Sequence, residues 1–173
     1  MRVTVVDPGG QVPLYDAALA GALAARGHAV RLATAPLLAY DPPRLPAGVA
    51  VGPGFGGLVA RAPALARRRT VRRLLRGAGY PSEWRGLVRA QRPGDVVHLQ
   101  WSLAPPADAL ALRALAGRGV ATVMTVHNVL PHEPRPWHRP LLARFYRVPG
   151  ALIVHSQATR ARLLAAAPAV APA

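Results

Sequence analysis

The 173-residue sequence contains no cysteine, which excludes disulfide bonds, thiolate metal ligands and a catalytic thiol. Lysine is also absent, because all 22 basic residues are arginine, and a Walker-type phosphate loop, which requires a lysine, is therefore excluded. No apolar run reaches the length of a membrane span, and the first apolar stretch is too short for a signal peptide. We expect a cytoplasmic protein whose fold is held by packing alone.

Acidic and aromatic residues are scarce. Seven acids stand against the 22 arginines, which gives a formal net charge of +15, and aromatic residues make up 5% of the chain. An excess of cations can bind the phosphates of a nucleic acid. However, aromatic residues are not interleaved with the arginines as a stacking surface for single strands would require, and the heavy use of Ala, Gly and Pro indicates a GC-rich coding bias. A basic nucleic-acid-binding domain stays open only as the weakest alternative.

The hydrophobic content of 51% is enough for one domain with a sizeable core. Apolar runs that end in breaker residues predict strands, and segments of helical periodicity lie between them. The predicted strands are Val3–Asp7, Ala29–Thr34, Asp95–Gln100, Val120–Val126 and Ala151–His155. The predicted helices are Pro13–Arg26, Leu58–Gly79 as one or two helices, a helix capped by Ser82 that runs to Gln91, Pro105–Gly117, Trp137–Tyr146 and Gln157–Ala167. This alternation predicts an α/β fold with a Rossmann-like, doubly wound parallel sheet.

Two segments fall outside this alternation. Tyr40–Gly57 is rich in Pro and Gly, and we expect a long surface excursion with at most one short strand near Val49–Val51. Residues 168–173 have an Ala/Pro composition typical of a linker or a truncated end, which leaves residues 1–167 as the domain.

Several common enzyme sites are missing. The first loop reads PGGQVP instead of G-x-G-x-x-G, and no acid ends the second strand, so a dinucleotide site is not expected. No G-x-S-x-G nucleophile elbow occurs. The HEPRP segment at His132 lacks the second histidine of H-E-x-x-H, and its prolines prevent the helix that would align metal ligands. We therefore expect no metal.

Ligands of open parallel sheets bind beyond the carboxyl ends of the strands, and this chain places polar residues there. His127 follows a β-branched strand and precedes a loop stiffened by proline, so we expect it to contact a ligand. Gly9 and Gly10 could expose backbone N–H groups to a phosphate or a sugar hydroxyl, or could simply form a tight turn. His98 is expected to be a hydrogen-bonded core residue, whereas His155 is left open between function and structure.

Four segments in order, RVTVVDPGG with Tyr15 and the later ARGHAV, DVVHLQW, TVMTVHNVLPHE and ALIVHSQATRARLL, resemble the N-terminal domain of family 4 glycosyltransferases. These are retaining enzymes of the GT-B fold, and the resemblance covers the chain from Arg2 to about Ala167. It implies transfer of a sugar from a nucleotide-sugar donor to a sugar or lipid-linked acceptor, with no cofactor and no obligatory metal. The chain would then be the acceptor-side half of a GT-B enzyme.

The resemblance also assigns residues. Gly9 and Gly10 would lie near the donor phosphate, and His127 would be the catalytic residue that reaches the sugar. The further substrate contacts would be Tyr15, Asn128, Glu133 and Ser156. Family members often carry a second histidine where this chain has Gln100, so that contact differs here.

The donor-binding C-terminal domain of the family, with its paired glutamates, is absent from this sequence. We expect that domain in the parent gene or on a partner chain, and we expect the 173 residues alone to be inactive. A Rossmann-like binding module that has lost catalysis is the main alternative. Enzymes of this kind often dock to anionic membranes, and a basic segment suits peripheral attachment to the inner face of the membrane, or is only a solvated charged face. Its arginines are Arg67, Arg68, Arg69, Arg72, Arg73 and Arg76.

Overall fold

The structure is a computed structural model that describes residues 1–36, 44–52 and 54–170. The strands are β1 (Arg2–Asp7), β2 (Ala29–Thr34), β3 (Val49–Val51), β4 (Val96–Leu99), β5 (Ala121–Thr125) and β6 (Ala151–Ile153). The helices are α1 (Pro13–Ala25), α2 (Gly57–Arg61), α3 (Pro63–Ala66), α4 (Arg69–Ala90), α5 (Pro105–Ala116), α6 (His138–Phe145) and α7 (Gln157–Ala166). A short 3₁₀ turn over Pro168–Val170 follows, so the part of the predicted tail that the structure describes is not extended.

The six strands form one parallel sheet in the order β3-β2-β1-β4-β5-β6. This confirms the predicted doubly wound, Rossmann-like α/β fold, and it is consistent with the N-terminal half of a GT-B enzyme. Chain order reverses between β1 and β4, where Val5 is in register with His98. The crevice beyond the carboxyl ends of two such strands is where open α/β sheets bind ligands.

Apolar side chains alternate between the two faces of the sheet. Val5 of β1 packs with Ala20 of α1 and Leu32 of β2 on one face. On the other face, Leu99 of β4 lies in a larger core with Leu112 of α5, and both side chains are fully buried. The strands are therefore buried between helices over the centre of the sheet, which explains why their sequences are almost continuously apolar.

The predicted break between two helices near Ser82 is wrong. Helix α4 runs without interruption for 22 residues through Pro81, and the Ser82 hydroxyl donates to the carbonyl of Gly79 instead of capping a new helix. Tyr80 and Trp84, on either side of the proline, both donate to the buried carboxylate of Asp108 in α5. These two tertiary bonds hold the helix together where a proline alone would favour a kink.

The predicted surface excursion Tyr40–Gly57 is only partly correct. Residues 40–43 and 53 lie outside the described residues, and the expected short strand exists as β3 at the edge of the sheet. Phe55, however, is buried and packs edge-on against Trp84, with ring centroids 5.3 Å apart. The segment therefore contributes to the core. Within the described residues no helix is both long enough and apolar enough to cross a bilayer.

Candidate functional site

The carboxyl ends of four parallel strands, β1, β4, β5 and β6, lie side by side, and the residues that follow these strands converge there. His127 comes two residues after β5, and His155 comes two residues after β6. Gln100 and Trp101 directly follow β4. Tyr15 reaches the same place from the first turn of α1. Parallel pairing of β1, β4, β5 and β6 thus assembles residues that lie up to 140 positions apart in the sequence.

A chain of hydrogen bonds passes through His127. Its Nε2 atom lies 3.4 Å from Oε1 of Gln100, and its Nδ1 atom lies 3.2 Å from Nε2 of His155. Gln100 is fully buried, whereas His155 is exposed. The three side chains therefore connect the interior of the domain to the surface of the crevice.

Aromatic rings surround the two imidazoles. Tyr15 stands edge-on to both, with ring centroids 5.2 Å from His127 and 5.4 Å from His155. The ring of Trp101 has its centroid 5.6 Å from that of His127, with the two planes tilted by 30°. Such contacts fix the orientation of a ring without using its nitrogen atoms. The predicted contacts Tyr15 and His127 are thus brought together, and Trp101 joins them.

Burial lowers the pKa of His127, and the neighbouring His155 lowers it further, while the negative charge of Asp7 acts in the opposite direction. Burial also lowers the pKa of His98 to about 4. His98 is indeed the core residue that the sequence predicts, since its Nε2 atom lies 2.8 Å from Oγ1 of Thr125. His127 and His98 are therefore neutral near pH 7, and neutral imidazoles offer both a donor and an acceptor.

The loop after His127 is tied to α6. The Tyr146 hydroxyl donates to the carbonyl of Val129 at 2.8 Å, and a longer contact of 3.2 Å reaches the carbonyl of Asn128. Burial raises the pKa of Tyr146 to about 12, so the hydroxyl keeps its proton. The Asn128 side chain is exposed beside His127, where it is free to meet a ligand.

The glycine loop is shaped around a carboxylate of its own chain. The fully buried Asp7 accepts hydrogen bonds from the backbone N–H groups of Gly9, Gln11 and Val12. Gly10 has φ of 62°, a conformation that favours glycine, and a Cβ atom on Gly9 would lie 3.1 Å from the Leu103 side chain. The backbone N–H group of Gly9 therefore already donates to Asp7, and in this conformation it is not available to a phosphate. Proximity of the loop to a donor stays a prediction.

A second carboxyl group lies behind this loop. Asp16 in the first turn of α1 is buried, and burial together with the negative charge of Asp7 raises its pKa to about 8. Asp16 therefore keeps its proton at neutral pH, since a second buried carboxylate beside Asp7 would be repelled.

Two of the predicted contacts have other features. The Ser156 hydroxyl caps α7, because it accepts the backbone N–H of Thr159 at 3.1 Å. Glu133 is exposed in the loop that precedes α6. Their roles as ligand contacts stay predictions. The sequence analysis selected Ser156 as a substrate contact and left its neighbour His155 open. The structure places the His155 ring against His127. The position of His155 at the end of a strand was the sequence signal that could have identified it.

A cavity of about 250 Å³ lies next to His127, between the ends of β4 and β5 and the C-terminal half of α6. Gln100, Trp101, Asn128 and His132 contribute polar or aromatic lining, and Met124 and Leu142 contribute apolar lining. The His132 side chain thus lies near His127, as a weaker candidate on the acceptor side. Among the described residues no three His, Asp or Glu side chains are grouped so that they could hold a metal ion.

The basic segment forms a surface around α3 and the start of α4. Arg67, Arg68, Arg69 and Arg73 are exposed, and Arg72 and Arg76 are half-buried. Two large apolar side chains stand among them, Leu65 with 60% and Leu74 with 67% of its surface exposed. We refer to these eight residues as the arginine-leucine surface.

The family model of Glycosyltransferase Family 4 matches residues 15–172. The chain belongs to this glycosyltransferase family. The match includes Tyr15, Asn128 and both histidines of the crevice, whereas Gly9 and Gly10 lie before it. A search of curated proteins returned no match. Membership in family 4 identifies the fold as the N-terminal domain of a glycosyltransferase and indicates a transferase with sugar donor and acceptor substrates.

Proposed function

We propose that this family 4 domain forms the acceptor side of a retaining glycosyltransferase that uses a nucleotide-sugar donor. The observation that supports it most is the group of Tyr15, Trp101, His127 and His155 at the carboxyl ends of four strands. Core packing does not require two accessible imidazoles and two aromatic rings to be grouped at the carboxyl ends of the strands. A hydroxylated ligand explains their presence.

The residue types suit sugar transfer. Neutral imidazoles and the Asn128 amide can form hydrogen bonds to hydroxyl groups, and the faces of Tyr15 and Trp101 can pack on the apolar side of a sugar ring. The transition state resembles an oxocarbenium ion, which gains from hydrogen bonds that are already in place. No cofactor and no obligatory metal take part in the proposed reaction, because the nucleotide leaving group comes with the donor.

The donor needs a second domain. In this proposal that domain is encoded in the parent gene or carried by a partner chain, and it supplies cations and carboxylates that hold the nucleotide. The amides of the glycine loop are occupied by Asp7, which is a reason to expect little affinity of the present residues alone for a phosphate. We therefore propose that the 173-residue chain does not transfer sugar unaided.

The arginine-leucine surface gives the enzyme a docking face for an anionic membrane that contains a lipid-linked acceptor. Arginines attract acidic head groups, and exposed leucines enter the boundary between head groups and acyl chains. Leu65 and Leu74 favour this interpretation over a merely solvated charged face, because solvation of arginine does not require large exposed apolar neighbours. Attachment would be peripheral, on the inner face of the membrane.

Transfer from labelled nucleotide-sugars tests the proposal. We expect no turnover by the 173-residue chain alone and clear turnover when it is joined to, or mixed with, its donor-binding domain. Turnover by the isolated chain would contradict the division of labour. Absence of both turnover and nucleotide-sugar binding in the completed protein would instead favour the non-catalytic binding module.

A further inference from the structure

Both ring nitrogen atoms of His127 are engaged inside the protein. One faces Oε1 of Gln100 at 3.4 Å and the other faces Nε2 of His155 at 3.2 Å. The Gln100 amide presents its oxygen to His127, and an oxygen can only accept; in this orientation His127 carries its proton on Nε2, and its bare Nδ1 accepts the proton of His155 Nε2. His127, which the sequence predicts as the catalytic residue, is therefore the middle member of a hydrogen-bonded series of three side chains.

The two ends of this chain are open. With His155 Nε2 donating to His127, His155 Nδ1 is an acceptor, and in the described residues no polar atom is placed to bond with it. At the buried end, Gln100 is 0% exposed, yet its Nε2 atom has no hydrogen-bond partner in the described part of the chain. Gln100 also lines the 250 Å³ cavity. A buried donor left without a partner destabilises the fold, so such groups are usually reserved for a ligand or water.

We propose that His155, through Nδ1, is the imidazole that accepts a hydrogen bond from a substrate hydroxyl, and that His127 is a positioning residue held in its Nε2–H tautomer by Gln100. The identity of the ligand as a sugar hydroxyl rests on the proposed function. The hydrogen-bond direction does not, because it rests on the orientation of the Gln100 amide toward His127. Tyr15, edge-on to both imidazoles, keeps the two rings within reach of each other.

The departure from the family at Gln100 has a consequence in this arrangement. A histidine at this position would present a ring nitrogen to His127, whereas Gln100 presents its amide oxygen, which accepts. In this orientation Gln100 sets the direction of the three hydrogen-bonded side chains. It also fixes His155 with its free acceptor toward the crevice.

Side-chain ¹⁵N NMR of the 173-residue chain, free of ligand and above pH 7, tests the direction. We expect His127 protonated on Nε2 and bare on Nδ1, and His155 protonated on Nε2. Gln100→Leu removes the accepting oxygen and should give a mixture of the two His127 tautomers. His127 protonated on Nδ1 in the unchanged protein would overturn the proposal, and so would a tautomer that is insensitive to Gln100→Leu in a folded variant.

Modification by diethyl pyrocarbonate, which attacks accessible unprotonated imidazole, tests which ring faces the crevice. Mass spectrometry should find His155 modified faster than His127. His155→Phe keeps an aromatic ring beside Tyr15 but uncovers His127 Nδ1, so the modification rate of His127 should rise. Faster modification of His127 in the unchanged protein, or no rise in the variant, would overturn the proposal. Neither measurement requires sugar transfer, so a failure here is separate from a failure of the proposed function.

Discussion

The Tyr146 hydroxyl lies 2.8 Å from the carbonyl oxygen of Val129 and ties α6 to the loop that follows His127. We expect Tyr146→Phe to remove this bond and leave a buried carbonyl unpaired, at a cost of about 1–2 kcal/mol in the free energy of unfolding. Chemical denaturation measures this loss. In the completed enzyme, turnover should fall more than stability alone explains, because Asn128 and His127 lose their support.

Phe145 is the matched control for this prediction, since it is the neighbouring buried ring without a hydroxyl. Phe145→Leu should lower stability without a specific effect on turnover. Equal effects of the two substitutions on turnover at equal stability would mean that the Tyr146 bond has no role in the site.

The sequence predicts the alternation of strands and helices because each strand is a short apolar run closed by a breaker, and it predicts His127 because strand ends are visible in such a pattern. It does not predict the partners of His127. Gln100 lies 27 residues before His127, and His155 lies 28 residues after it. Only the pairing of β4, β5 and β6 brings the three side chains together. The continuity of α4 through Pro81 depends likewise on a contact with α5, which local propensity cannot reveal.

Asp108 holds α4, α5 and the end of β4 together. Its carboxylate accepts from the Tyr80 hydroxyl, Trp84 Nε1 and the Ser102 hydroxyl, although burial raises its pKa. Asp108→Ala should lower the free energy of unfolding by about 3 kcal/mol or more, because four donors, the backbone N–H of Ala104 included, lose their acceptor. Urea denaturation measures this, with the exposed acid Glu133→Ala as a control that should leave stability unchanged. A loss below about 1 kcal/mol would contradict the role of Asp108.

Asp16 should make the domain less stable as the pH rises. Its pKa is about 8 in the folded protein and 3.8 in the reference state, so between these values the unfolded chain has lost a proton that the folded chain keeps. This group alone should reduce stability by about 1.4 kcal/mol per pH unit in that window. Asp16→Asn cannot ionise and should flatten the decline, with its largest gain in melting temperature above pH 8. The same pH slope in both proteins would contradict the assignment.

The arginine-leucine surface should bind anionic vesicles. We expect Arg69→Glu with Arg73→Glu to weaken co-sedimentation with phosphatidylglycerol vesicles more than tenfold, since each cation near such a surface contributes about 1 kcal/mol. Leu74→Ser should weaken binding without changing its salt dependence. Arg113→Glu, an exposed arginine on α5, is the control. Equal binding to anionic and neutral vesicles would exclude a membrane role for this surface.

Replacement of His127 tests the central claim, that the crevice beyond β1, β4, β5 and β6 is the sugar site. In the enzyme completed by its donor-binding domain, His127→Ala should reduce kcat/KM at least about 100-fold, because it breaks the chain from Gln100 to His155. His28 directly precedes β2 and therefore lies at the amino ends of the strands, away from the crevice. His28→Ala should leave kcat/KM unchanged. Turnover of a folded His127→Ala variant equal to that of the unchanged enzyme would contradict the account.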